Sequence, residues 1–300
     1  MSGAPGWSAP GLFRVGSEEV ASAESDKMAP LVRVSDHAGL KVRLALGVEY
    51  DGSAYCGWQT QSHAPSVQDA VEEALSVVAD HRVRVTCAGR TDSGVHATSQ
   101  VVHFDTEAVR KVRSWTLGAN ANLPDDITVI WARAVEETFH ARFKAVARQY
   151  RYVILNQSVR PALLKHRVNW ERNPLDVQSM AAAAVCLVGN HDFSSFRAVA
   201  CQARHPVRTV HSLTITRSCD FAYIDILANG FLHHMVRAIA GTLMTVGRGE
   251  RPGSWVREVL EARDRMRGGV TAPARGLYLV GVRYPKSFDL PQGARLPVYG

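Results

Sequence analysis

Residues 83–104 read VRVTCAGRTDSGVHATSQVVHF, and the fold is decided by how this stretch is parsed. Its ends, 83–88 and 100–104, are rich in Val and other β-formers and predict two strands. Between them Ala88-Gly89-Arg90-Thr91-Asp92-Ser93-Gly94-Val95-His96-Ala97 is polar and carries two glycines, which predicts a loop. That loop holds a carboxylate two residues from a guanidinium, and loops braced by rigid strands are where reacting groups concentrate. The residue types alone leave two readings open. In one, Asp92 bonds its own backbone in an Asx-type turn, Gly94 supplies positive φ and Arg90 is solvated. In the other, the loop presents Asp92 to a cleft.

Working outward, residues 41–50 (KVRLALGVEY) alternate and predict a strand ending at the turn signal Asp51-Gly52-Ser53. Val67, Ala70, Val71, Ala74, Leu75 and Val78 form one apolar stripe at helical spacing, and Ser66 is a good N-cap with Asp69 three residues on. A helix over 108–117 and strands over 127–135 and 145–155 follow. The later half has the same logic: helix 175–188, strands 207–216 and 221–227, helix 231–246, short helix 254–262 and strand 277–284. No sequence repeat is visible, so the duplication rests on element order. The expected organisation is a disordered extension over 1–40, an N-terminal half over 41–144 carrying the Asp92 loop, a C-terminal half over 145–285, and an irregular tail over 286–300.

With 46% hydrophobic and 21% charged residues in 300, the chain can bury a sizeable core, which excludes disorder throughout. No apolar run approaches the roughly 18–20 residues of a membrane-spanning helix. The formal charge is +7, and it is unevenly placed. Residues 1–40 hold three basic and five acidic groups, leaving 32 Lys+Arg against 23 Asp+Glu, or +9, on 41–300. Between Arg142 and Arg172 eight basic side chains face one acidic residue, Glu171, which suits an anionic partner such as nucleic acid. Five cysteines without a C-x-x-C pair predict neither a disulfide framework nor a zinc knuckle and fit a reducing, cytoplasmic setting. The histidines show no metal-ligand spacing, and His233 and His234, adjacent in a predicted helix, are expected to point to different faces. No metal site is expected.

The Asp92 loop resembles the G-R-T-D-x-G-V-H signature of the tRNA pseudouridine synthases of the TruA family. Further blocks are similar and in family order: Tyr50-Asp51-Gly52-Ser53 with Gly57-Trp58-Gln59, Ser66-Val67-Gln68, Phe139-His140-Ala141-Arg142, Arg148-Gln149-Tyr150-Arg151-Tyr152, His191-Asp192-Phe193-Ser194-Ser195-Phe196-Arg197, Phe231-Leu232-His233-His234-Met235-Val236-Arg237 and Pro273-Ala274-Arg275-Gly276-Leu277-Tyr278-Leu279. They span roughly residues 41–285. Ser93 stands where the family usually has alanine, and Cys56 where an aromatic residue is common. The resemblance implies an α+β protein of two ferredoxin-like halves forming one extended antiparallel sheet with a central catalytic cleft. It also implies a homodimer that isomerises uridine to pseudouridine at tRNA positions 38 to 40, without cofactor or metal. The catalytic residues it implies are Asp92, Tyr150 and Arg237, with Arg90 filling the place of the flipped base.

Moving the bond to C1′ from N1 to C5 requires glycosidic cleavage, rotation of the uracil and reattachment through carbon. An ionised carboxylate serves whether it attacks C1′, stabilises an oxocarbenium-like centre or removes the C2′ proton. A guanidinium, Arg237, favours that charged form. Tyr150 offers a ring for stacking and a hydroxyl for the final removal of the C5 proton. Leu277 suits an apolar wall of the site, and Leu277-Tyr278-Leu279 equally suits a plain core strand. Arg142, Lys144, Arg148, Arg197 and Arg208 are the candidates for phosphate contacts, which make binding salt-dependent. Two rivals are an RNA-binding protein of the same fold without catalysis, and a metal-dependent nuclease using Asp92 with Asp51 or Asp105.

Overall fold

The computed structural model describes residues 41–299, so the extension expected over 1–40 lies outside the described residues. The alternating residues of the first expected strand form β1 (Val42–Tyr50), followed by α1 (Val67–Ala79), β2 (Thr86–Cys87), β3 (His96–Thr106), α2 (Val112–Asn122) and β4 (Ile127–Val135). The strands pair in the order β4-β1-β3, with β2 on β3, which is a ferredoxin-like β-α-β-β-α-β unit. The chain continues through β5 (Ala147–Asn156), β6 (Asn169–Glu171), α3 (Val177–Ala184), β7 (Gly189–Asp192), β8 (Val207–Ser218), β9 (Phe221–Ala228), α4 (Met235–Gly247), α5 (Ser254–Ala262) and β10 (Leu277–Arg283). Setting aside the short β6, β7 and α5, this is the same unit again, with strand order β10-β5-β9-β8.

The two units share one ten-stranded sheet. It is antiparallel except at two places: β6 runs parallel to β5, and the seam between the halves is a parallel pairing of β10 with β3, Tyr278 opposite His96 and Leu279 opposite Ala97. Parallel strands begin at the same end of a sheet. The Asp92 loop that feeds β3 and the segment that feeds β10 therefore open side by side. β5 lies antiparallel on the other side of β10 and brings Tyr150 opposite Leu279.

Near the seam the sheet is covered on both faces, so β5 buries consecutive residues, Tyr152 to Leu155, instead of alternating. Tyr152 and Ile154 belong to the main core, and Val153 and Leu155 to a second cluster with Phe221, Tyr223, Tyr278 and Val280. The C-terminal tail is irregular yet held. Leu290 packs in the main core, the Arg295 N–H donates to the Val280 carbonyl (2.9 Å), and the Tyr299 N–H donates to the Tyr223 hydroxyl (3.1 Å).

Among the expected bounds that shift, two do so for a side-chain reason and one for a backbone reason. The strand expected over 83–88 shrinks to β2 because the Val85 N–H donates to Glu72 Oε1 (3.0 Å) and the Val83 N–H to Ser76 Oγ (2.9 Å), both on α1. The second helix starts at Val112 instead of 108, since β3 runs on to Thr106 and Thr106 Oγ1 accepts the Ala108 N–H (3.0 Å). The helix expected from 231 starts at Met235, because His234 is left-handed (φ 64°). That last difference reshapes the site.

Candidate active site

The Asp92 loop is fastened from several sides. The Trp58 N–H donates to the Thr91 carbonyl (3.1 Å), the Thr91 and Tyr50 hydroxyls are 2.8 Å apart, and Gln100 Nε2 donates to the Gly89 carbonyl (2.6 Å). Ser93, the departure from the family pattern, uses its hydroxyl to donate to the Tyr55 carbonyl (3.3 Å). Gly57 is required where this packing is tightest: it has φ 94°, and a Cβ there would lie 2.7 Å from the Thr91 carbonyl oxygen. Gly94 supplies the positive φ (74°) of the turn. The turn is closed by the Asp92 backbone carbonyl, which accepts the Val95 N–H (3.1 Å).

The Asp92 carboxylate faces the second half. Arg237, in the first turn of α4, donates from Nη1 to Asp92 Oδ2 (3.1 Å) and from Nε to the Ala272 carbonyl (2.8 Å), just ahead of β10. Both partners of this ion pair are largely shielded. His233 Nε2 lies 3.3 Å from Asp92 Oδ1, and His234 Nε2 lies 3.4 Å from Oδ2. The expectation that the adjacent histidines diverge is therefore corrected: the left-handed backbone at His234 turns the two rings together, with centroids 4.0 Å apart. Burial, aided by the charge of Arg237, lowers the His234 pKa despite the opposing pull of Asp92. The loop block 231–234 carried this signal, but its apolar spacing resembled a helix.

Asp92 lines an open cleft of about 1350 Å³, roomier than the roughly 300–1,000 Å³ of small-ligand pockets. Tyr150 is buried in its floor, edge-on to Phe231 (centroids 5.0 Å), a cleft residue that sequence reasoning did not single out. Burial, and then the negative charge of Asp92, push the Tyr150 pKa far above its ordinary value, so its hydroxyl stays protonated. Leu277, at the start of β10, is buried and lines the same space. Arg90 is exposed on the rim, with no ion-pair partner among the described residues.

The five phosphate candidates differ in freedom. Arg142, Arg148 and Arg208 line the cleft, whereas Lys144 and Arg197 lie outside its lining. Arg142 and Lys144 are exposed. Arg148 is committed to four carbonyls, those of Ala88, Arg142, Ala145 and Asn229. Arg208 donates to His205 and Val207, and Arg197 to Cys201. Neither rival carboxylate joins Asp92. Asp51 pairs with His96 and Arg167, and Asp105 pairs with Arg43 through two 2.7 Å bonds.

The carboxylate and guanidinium at the seam of the duplicated sheet lie in stretches that match pseudouridine synthases, a class of isomerases. A family profile described as tRNA pseudouridine synthase matches residues 47–144 and 183–285, stretches that hold Asp92 and Arg237, with Tyr150 between them. The tRNA pseudouridine synthase A of Nitrosococcus oceani is 57% identical over 254 residues, 85% of this chain and 98% of that protein. The protein of the same name from Pseudomonas aeruginosa is 56% identical over 269 residues (89% and 94%), and that of Pectobacterium atrosepticum 54% over 266 (89% and 94%). The chain belongs to the tRNA pseudouridine synthase family.

Proposed function

We propose that this protein isomerises uridine to pseudouridine at positions 38 to 40 of the tRNA anticodon stem-loop, acting as a cytoplasmic homodimer. The observation that carries the reading is the Asp92–Arg237 pair, contributed by the two family-matched stretches and exposed to one cleft. The guanidinium orients the carboxylate, and its own bond to the Ala272 carbonyl holds the pair in place. Asp92 carries the glycosidic-bond step at C1′, and Tyr150 supports the uracil. Because the Tyr150 hydroxyl remains protonated, it takes up the C5 proton only by releasing its own proton to water in the open cleft.

A uridine in a stem must be extruded at a cost of a few kcal/mol, and the unpaired Arg90 on the rim is suited to fill the gap. Arg142, Lys144 and Arg208 hold the backbone, assisted by Arg197; Arg148, with its donors already engaged, acts mainly by bracing Ala88 and the loop. Five free cysteines support the cytoplasmic assignment. Among the described residues no helix is long and apolar enough to cross a membrane. Exposed Val159 and Leu163 (70% and 96%) offer apolar surface for a second copy.

The test is incubation of unmodified tRNA with purified protein, without added metal or cofactor, followed by mapping of pseudouridine. Product confined to the anticodon arm supports the reading; product elsewhere redirects the substrate, and none overturns the activity. Light scattering at assay concentration decides the dimer.

A further inference from the structure

We propose that Asp92, His233 and His234 form a binding site for a divalent transition cation of borderline softness, such as Zn²⁺, whose occupancy blocks the reaction by capturing the carboxylate. The two imidazole nitrogens lie 3.3 and 3.4 Å from the two carboxylate oxygens, and ligand atoms of all three residues fall within 4.8 Å of one another. Zinc bonds of about 2.0–2.2 Å in tetrahedral geometry place neighbouring ligand atoms about 3.4 Å apart. Each nitrogen meets that value against a different carboxylate oxygen, so an ion is held either by both oxygens or by one after the ligand atoms, all within 4.8 Å, draw slightly together. Two nitrogens and one carboxylate in an open cleft leave the fourth position to water, which is the donor set zinc accepts.

The ligands are also held in place. The His233 carbonyl accepts the Ala198 N–H (3.0 Å), the His233 N–H donates to Cys201 Sγ (3.4 Å), and the His234 carbonyl accepts the Ala238 N–H (2.9 Å). Asp92 sits on the fastened loop of the other half, so an ion there would clamp the two halves across the cleft. Arg237 shares Oδ2 with the ion and repels it, which limits affinity and makes binding reversible. Mg²⁺, which prefers oxygen ligands and keeps its waters, finds one carboxylate here and is a poor occupant. The binding half of the proposal is independent of the reaction; the inhibitory half rests on Asp92 being the reacting carboxylate.

The test uses the full chain, titrated with Zn²⁺ by calorimetry and with Co²⁺ by visible absorption, in parallel with pseudouridine formation at constant Mg²⁺ over a series of free Zn²⁺ concentrations. The variants are His233→Gln and His234→Asn, the latter because asparagine accepts the left-handed backbone. Each variant's inhibition is referred to its own metal-free rate, and thermal unfolding checks that it folds. The expected result is one Zn²⁺ per chain, inhibition that tracks occupancy and is reversed by chelator, and binding weakened about tenfold or more in each variant. Absence of saturable binding, or binding unchanged in both variants, overturns the site. Saturation without loss of rate overturns the inhibitory half and counts against Asp92 as the reacting group. A metal-free wild type that makes no pseudouridine refutes the functional reading, while the binding titrations still decide the site.

Discussion

Asp51 and Asp92 have the same kinds of neighbours and nearly the same exposure, 25% and 22% of the side chain, yet they are held differently. Asp51 faces His96 and Arg167; Asp92 faces His233, His234 and Arg237. Asp51, however, also accepts the Ser53 N–H (3.0 Å) and the Ser53 hydroxyl (2.5 Å), both on Oδ1, so that oxygen is engaged by the turn it caps while Oδ2 meets Arg167. Its histidine is immobilised as well. His96 stacks on Tyr278 (centroids 4.6 Å), and its Nε2 lies 3.0 and 3.1 Å from the His166 and Arg275 carbonyls. Asp92 instead closes its turn with its backbone carbonyl, and every side chain that pairs with its carboxylate, His233, His234 and Arg237, comes from the other half of the protein, from which Asp51 receives only Arg167. A carboxylate bound by its own turn is structural. One held by side chains across a cleft is available to a substrate.

The comparison is tested most severely by Asp92→Asn. Turnover should fall by about 10³-fold or more while tRNA affinity stays within about tenfold, since the amide keeps the shape and loses the charge. Single-turnover assays with filter binding check both; pseudouridine formed near the wild-type rate sinks the assignment. Arg237→Met comes next, with an expected loss of about a hundredfold in single-turnover rate and little change in unfolding midpoint, because what is removed is chiefly the group that orients the Asp92 carboxylate. An unchanged rate would refute that role. Tyr150→Phe should lower the rate by about tenfold with affinity nearly intact, whereas Tyr150→Ala should also weaken binding, by about tenfold, through loss of a stacking surface worth about 1–3 kcal/mol per base. Equal affinity in the two variants would exclude stacking.

Much of the fold was legible locally. β4 and α5 fall on the expected residues, and α1 starts where Ser66 was expected to cap it, its hydroxyl accepting the Asp69 N–H (3.1 Å). Periodicity with a cap or turn at each end sufficed there. It failed where distant side chains claimed backbone donors, as Glu72 and Ser76 do for Val85 and Val83. The parallel seam rests on two residue pairs between distant strands, a long-range fact with no local pattern. For the site, Asp92, Tyr150 and Arg237 were marked by family resemblance, and the structure brings Arg237 onto Asp92. The convergence of His233 and His234 has no local signal, because one left-handed residue, invisible to apolar spacing, delays the start of the expected helix by four residues.

Asp51→Asn has the smallest expected effect and completes the comparison from its other side. The His96 contact, followed by the Ser53 hydrogen bonds, holds the Asp51 carboxyl well below the ordinary carboxylate range. A folded-state pKa below the unfolded value of about 3.9 contributes stability that is complete above the unfolded value and is lost as pH falls from there through the lower folded-state value. The variant has no such proton to bind, although its amide oxygen can still accept from Ser53. It should therefore be less stable than wild type by about 1–2 kcal/mol at pH 7, the range for hydrogen bonds to a charged group on a partly exposed site. The gap should narrow as pH drops from about 5 towards 3. Denaturant unfolding across that range measures the gap, and a gap that stays constant would show that the neighbours do not hold Asp51 ionised. Catalysis should stay within a few-fold of wild type, because Asp51 lines a separate pocket from the Asp92 cleft. If turnover instead collapses in a variant that remains folded, engagement by a local turn no longer separates a structural carboxylate from a reactive one.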